Sequence, residues 1–258
     1  MSSDRTGQLA RILAVKAEEV AELRARSLPA GPGPRSFSLR KANQKIKLIS
    51  EIKFRSPSAG PLSTELSVAE RARAYERGGA DMISVLCDER FFDGAFSHLS
   101  EARAATSLPL LCKEFVIDEV QLDAAAAYGA DAILIIVRCV PPARLARLVR
   151  EARARGLAPF VEIAADEEAK LALDAGATLI GVNARDLDTL EMDAARTARV
   201  LASLPSDVTR VHLSGIRTAA DVRNVAMSPA DAALIGETLM RQAEPEALLR
   251  SFVTAASG

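Results

Sequence analysis

The sequence predicts an α/β chain whose eight parallel strands close into a (β/α)8 barrel of the TIM type, preceded by an extra N-terminal helix. Three observations carry this reading. From residue 46 onward, short apolar runs alternate with amphipathic helical patterns rich in Ala, Leu, Glu and Arg. The apolar runs end at 53, 86, 113, 137, 163, 183, 214 and 236, a spacing suited to strand–helix crossovers within 258 residues. A faint echo also precedes every second run: Gly79-Ala80-Asp81, Gly129-Ala130-Asp131, Gly176-Ala177-Thr178 and Pro229-Ala230-Asp231. A doubly wound open sheet is the runner-up, but no GxGxxG follows the first strand.

Taken in order, residues 1–45 stand outside the rhythm. RILAVKAEEVAELRAR reads as an amphipathic helix and LPAGPGPRSF as a Pro/Gly linker. The expectation is one domain over 1–258, with the 1–45 extension covering one end of a 46–258 barrel; a detached regulatory arm is the other reading. Strands are expected at 47–53, 82–86, 110–113, 132–137, 159–163, 179–183, 210–214 and 232–236. Between them lie helix-like segments such as VAERARAYERG, EVQLDAAAAYG, ARLARLVREARARG and EEAKLALDAG, with Gly78, Gly129, Gly156 and Gly176 as C-terminal stops.

Composition narrows the function classes. Lys+Arg 33 against Asp+Glu 34 gives a formal charge of −1, so neither a nucleic-acid surface nor an anionic membrane surface is expected, and any basic site is local. Cys87, Cys112 and Cys139 are odd in number and never form a CxxC pair, which argues against a disulfide framework and a zinc site. With only His98 and His212, a His-rich metal centre is not expected either. The N-terminus lacks a continuous apolar signal core, and the apolar run 132–137 is too short to cross a bilayer. The expected home is the cytoplasm.

The most informative segment is 46–60, IKLISEIKFRSPSAG. Residues two apart in a strand share a face, so Glu51 and Lys53 place opposite charges where packing favours aliphatics. The alternative reading is a surface ion pair at a strand end. Barrel chemistry gathers at the C-terminal ends of strands, and those ends carry further polar groups. Lys113 and Phe115 close the third strand region, Glu162 lies in the fifth, and Asn183 and Arg185 end the sixth. The seventh and eighth end in Ser214-Gly215 and Gly236-Glu237, where many barrels bind phosphate through backbone N–H groups.

These residues sit in motifs that resemble the indole-3-glycerol-phosphate synthase family: SEIKFRSPSAG, LLCKEFVID, DAILIIV, PFVEIA, IGVNARDLDTL, LSGI and LIGETLMR, in order, with ILAVKAEEV similar to the family's extra helix. The resemblance implies closure of 1-(2-carboxyphenylamino)-1-deoxyribulose 5-phosphate to indole-3-glycerol phosphate with loss of CO₂ and water, without a metal or organic cofactor. It implies Lys113 as general acid, Glu162 as general base or proton shuttle, Lys53 as a substrate-binding cation and Glu51 as the group that orients it. Asn183 and Arg185 would position the anthranilate carboxylate and hydroxyls. Ser56, Ser214, Gly215, Gly236 and Glu237 would line the substrate and phosphate pocket, and Phe115 would pack on the aromatic ring. The implied partner is a small phosphosugar–anthranilate substrate, with no nucleic acid and no membrane, on a monomer or weak homodimer.

One position departs from the family. A Glu usually stands before Ser-Gly-Ile, and here it is Leu213. His212, one residue away, is expected to face the other side of the strand. The loss of an acid motivates an alternative: a non-catalytic or altered-specificity paralogue that binds a phosphosugar ligand. Another phosphosugar barrel, such as an Amadori-type isomerase, would explain the phosphate loops but not Lys113 paired with Glu162.

Overall fold

The computed structural model describes residues 7–56, 60–186 and 188–257. Helix α1 (Gln8–Arg24) is followed by a stretch, 27–41, with neither helix nor strand. Eight parallel strands then close into a barrel: β1 (Lys47–Ile52), β2 (Met82–Leu86), β3 (Leu110–Lys113), β4 (Ala132–Ile136), β5 (Ala158–Ile163), β6 (Leu179–Asn183), β7 (Thr209–Leu213) and β8 (Ala232–Ile235). Each strand pairs with its sequence neighbours, and β8 returns to β1 with Leu48 opposite Ala233. The barrel and its preceding helix are those the sequence predicts.

Outside the barrel run α2 (Val68–Gly78), α3 (Glu89–Phe92), α4 (Phe96–Ala105), α5 (Glu119–Ala127), α6 (Pro142–Ala154), α7 (Asp166–Asp174), α8 (Ala194–Ser203), α9 (Ala219–Ala226), α10 (Glu237–Met240) and α11 (Pro245–Ala255). Their starts are written into the sequence. Ser67 with Glu70 and Thr218 with Asp221 form capping boxes on α2 and α9, while Pro142 and Pro245 open α6 and α11. At the C-terminus of α2 the left-handed residue is Gly79 (φ 91°), not Gly78, which remains the last helical residue.

Both faces of the sheet are buried, which explains its nearly continuous apolar strands. Even-numbered positions of β1, such as Leu48 and Ile52, face outward into the layer that also holds Tyr75, Leu148 and Phe252 of the helices. Ile49, Met82, Leu111, Leu134, Phe160 and Val211 fill the barrel interior. Gly181 lets the interior close: a Cβ there would lie 2.5 Å from the Phe160 ring and 2.7 Å from Leu213. His212 points outward as expected, its Nε2 3.0 Å from the Ser214 carbonyl.

The echo before every second strand has a physical cause. Asp81, Asp131 and Asp231 stand at the N-terminal ends of β2, β4 and β8. Each donates its backbone N–H to the preceding strand, at Leu48, Leu110 and Arg210 respectively, over 2.8 Å. Each side chain then accepts the N–H of that same residue, at 2.8, 2.7 and 2.9 Å. An aspartate there clips two neighbouring strands together. Thr178, in the third copy, has no carboxylate to do so.

Some boundaries differ from expectation at the other end. Lys53, Val137, Ser214 and Gly236 step out of the ladder because strand pairing ends there and the chain turns over the mouth. Val137 opens a 3₁₀ turn, Val137–Cys139. A two-stranded antiparallel hairpin, Arg55–Ser56 with Gly60–Pro61, follows β1. Pro57, Ser58 and Ala59 of the expected Ser-Pro-Ser turn lie outside the described residues.

Candidate active site

The C-terminal ends of the strands surround a cavity of about 340 Å³. Glu51, Lys53, Ser56, Lys113, Phe115, Glu162, Asn183, Arg185, Ser214, Gly215, Gly236 and Glu237 all line it. Alternation explains the convergence: Glu51, Lys113, Glu162 and Asn183 occupy the inward register of β1, β3, β5 and β6, one step above the apolar interior. Glu51, Glu162 and Asn183 are buried.

Their side chains form one polar relay. Lys53 Nζ lies 2.8 Å from Glu51 Oε2, and Lys113 Nζ lies 3.6 Å from Glu51 Oε1 and 3.9 Å from Glu162 Oε2. Asn183 Nδ2 donates to Glu162 Oε1 at 2.9 Å, and Ser214 Oγ donates to Asn183 Oδ1, also at 2.9 Å. The Arg185 backbone N–H donates to the same Asn183 oxygen at 3.0 Å, and its guanidinium is steadied by the Leu190 carbonyl at 3.1 Å. The surface ion-pair reading of Glu51 and Lys53 does not hold, because Glu51 is 2% exposed and shared between two lysines.

Charge states follow from this geometry. Burial would raise the Glu51 carboxyl, but Lys53 and Lys113 outweigh it and hold the group below its ordinary value. Burial pulls the Lys113 ammonium down, while Glu51 and Glu162 raise it, and the net shift is upward. At neutral pH Lys113 is therefore a proton donor flanked by carboxylates. Glu162 Oε2 is buried without a hydrogen-bond partner, which leaves one oxygen of that carboxylate with unused hydrogen-bonding capacity.

The mouth also contains the backbone devices anticipated for an anion. Ser214 and Gly215 are consecutive left-handed residues (φ 71° and 85°), the first held there by its bond to Asn183. At Gly236 a Cβ would fall 2.2 Å from Glu51 Oε2, so only glycine allows that carboxylate its position. Thr238 Oγ1 donates to the Ile216 carbonyl at 2.9 Å and ties the β7 and β8 loops together. Among the described residues no group of three or more His, Cys, Asp or Glu is arranged to hold a metal ion.

Helix α1 lies across the mouth, with Gln8, Leu9 and Ile12 lining the cavity. Its Lys16 is buried between Asp88 at 2.7 Å, Glu114 at 2.8 Å and Glu19 at 2.6 Å. Arg24 reaches Asp118 at 2.6 Å. The sequence pattern puts the helix over one end but signals none of these contacts, nor Leu190, Arg217 and Arg241 in the lining. Leu213, in contrast, is 1% exposed and packs below the relay on Phe160 and Gly181. The relay passes above it from Asn183 to Ser214 without interruption.

A closed (β/α)8 barrel with a lysine–carboxylate–amide relay at its C-terminal mouth is the arrangement of a barrel enzyme working by proton transfer and charge stabilisation. The family described as Indole-3-glycerol phosphate synthase matches residues 9–252. An indole-3-glycerol phosphate synthase of Mycolicibacterium vanbaalenii is 42% identical over 251 residues, 97% of this chain and 91% of that protein. Indole-3-glycerol phosphate synthase 2 of Streptomyces coelicolor is 43% identical over 224 residues, 87% of each. A solved 3-hexulose-6-phosphate synthase superposes with a TM-score of 0.67 at 18% identity, over 81% of this chain and 99% of that one; at such identity the likeness shows the fold alone. The chain belongs to the indole-3-glycerol phosphate synthase family.

Proposed function

We propose that the protein is a decarboxylating carbon–carbon lyase that closes 1-(2-carboxyphenylamino)-1-deoxyribulose 5-phosphate to indole-3-glycerol phosphate, releasing CO₂ and water, as in tryptophan biosynthesis or a secondary-metabolic copy of that step. The observation that carries the reading is Lys113 held between Glu51 and Glu162, inside motifs shared with the family. Ring closure joins the aromatic carbon bearing the carboxylate to the sugar ketone. Lys113 donates a proton to the ketone oxygen as the new bond forms. Lys53 holds the carboxylate until it leaves as CO₂, which restores the aromatic ring. The hydroxyl then takes a proton from Lys53 and leaves as water, creating the indole double bond, while Glu162 receives the proton released at the adjacent carbon.

The remaining roles follow from placement. Glu51 orients Lys53 and keeps Lys113 charged, while Asn183 and Arg185 fix Glu162 and the substrate's carboxylate and hydroxyls. Phe115 offers a ring face in the wall, beside Phe92 at a centroid distance of 5.9 Å. Ser56, Ser214, Gly215, Gly236 and Glu237 take the sugar phosphate end, so remote binding holds the reacting atoms together. Cytoplasmic residence belongs to the same proposal and is supported by three buried free cysteines; among the described residues no helix is long and apolar enough to cross a membrane.

The direct test is the appearance of indole-glycerol phosphate fluorescence when purified protein meets the carboxyphenylamino sugar phosphate, together with rescue of a tryptophan auxotroph. Ligand binding without product would instead support the non-catalytic alternative. The intact relay above Leu213 and the family relationship do not favour that alternative.

A further inference from the structure

Behind the mouth, on the outer side of β1, the α2 residue Arg71 is 0% exposed. Its Nη1 donates to the Leu239 carbonyl at 3.2 Å, and its Nε and Nη2 are buried without hydrogen-bond partners. Among the described residues no carboxylate forms an ion pair with it. An unneutralised guanidinium is an expensive occupant of a core, where a Met or Leu of similar bulk would be cheaper.

Its surroundings suggest a return for that expense. One helical turn along α2, Tyr75 donates its hydroxyl to the Glu51 carbonyl at 3.1 Å and touches Met240 Sδ at 3.6 Å. Leu239 and Met240 both donate their N–H groups to the Gly236 carbonyl at 3.0 Å. Arg71 and Tyr75 therefore brace, from behind, the two backbones that meet where Glu51 packs on Gly236. Leu239 is three residues past Gly236, so the carbonyl that the guanidinium holds lies roughly 5 Å along the helix axis from that turn.

We propose that Arg71 is a positioning residue for the anionic end of the substrate. It fixes α10 through Leu239, and its buried charge is balanced when a phosphate group settles at the Gly215 and Gly236 turns. This rests on the reading that a phosphate binds there. Screened by the solvent of the open mouth, such a charge changes affinity for a dianion by about tenfold.

The test measures inorganic phosphate binding by calorimetry alongside steady-state turnover and thermal unfolding for Arg71→Gln, Arg71→Met and Arg71→Lys. The expected result is a phosphate dissociation constant about tenfold weaker in Arg71→Gln and Arg71→Met, with the loss falling on KM more than on kcat. Arg71→Lys, which keeps the charge, is expected to restore most of the affinity, and Arg71→Met to unfold no earlier than wild type. Unchanged phosphate affinity in Arg71→Gln, or failure of Arg71→Lys to restore it, overturns the proposal while wild-type turnover leaves the functional reading intact. If both neutral variants fail to fold, the guanidinium serves the fold and the proposal falls. Wild-type protein that neither binds phosphate nor turns over substrate overturns both readings.

Discussion

The two ends of the barrel use buried carboxylates in opposite ways. At the N-terminal end, Asp131 accepts the Leu110 N–H at 2.7 Å, is bound by the Arg35 N–H and pairs with Arg103 at 2.8 Å. Every part of that carboxylate is engaged. At the C-terminal end, Glu162 is buried to a similar degree, yet one of its oxygens lacks a hydrogen bond and its lysine stands 3.9 Å away. A fully engaged buried charge resists perturbation and holds strands in register. An under-engaged one retains the capacity to bind and to exchange protons. The comparison teaches that burial alone says little about role; the completeness of the partner set does.

Breaking each end should separate activity from stability. The largest effect is expected from Lys113→Ala, which removes the ammonium proposed as proton donor: kcat should fall by about 10³-fold or more in the fluorescence assay, with thermal unfolding shifted by only a few degrees. Asp131→Ala should do the reverse. Stranding Arg103 and two backbone donors costs about 3–5 kcal/mol, read as an unfolding temperature lower by roughly 10 °C, while kcat at 25 °C stays close to wild type. If Asp131→Ala abolishes turnover in folded protein, the division between the two ends is wrong. Asn183→Ala, which frees both Glu162 and Ser214, should lower kcat by about 10- to 100-fold, an intermediate loss reflecting misorientation rather than a missing donor.

The smallest effect tests a carboxylate at the mouth that is closer to the N-terminal type. Glu114 is raised from its ordinary value to about 7, chiefly by burial, with Lys16 pulling it back and Asp88 adding to the rise. Its folded-state value is above its unfolded one, so the folded protein binds the proton more tightly. The contribution to stability is therefore greatest below about pH 4.5 and declines as pH rises to about 7. Glu114→Gln should flatten the unfolding temperature between those values by a few degrees, as measured by calorimetry across pH. An unchanged pH profile would show that Glu114 does not titrate in this window.

Much of the barrel was legible because its strands are buried on both faces, so a single apolar run announces each one. The inward charges were legible for the complementary reason: Glu51 and Lys113 interrupt runs that packing alone would fill with aliphatics. The short hairpin at Arg55–Ser56 carries no such pattern, since two-residue strands have no period to detect. Lys16 and Arg71 were hidden because charged residues in amphipathic helices ordinarily face water. Their phase was the missed signal. Lys16 falls on the buried stripe of Leu9, Ile12, Val20 and Leu23, and Arg71 on that of Val68, Ala72 and Tyr75. A cation on the apolar stripe of a helix marks a partner from outside that helix, and that partner is visible only in three dimensions.

The segment between α1 and β1 carries a last consequence. It descends from the mouth to the opposite end, where the Arg35 N–H meets Asp131, Lys41 meets Asp231 and Leu39 is buried in the barrel interior. All of those anchors, like Asp88 and Glu114 around Lys16, are encoded far downstream. Helix α1 therefore has no surface to dock on until those strands are in place. The cover of the site is thus held by contacts of long sequence separation, whose loop-closure entropy must be met before they form.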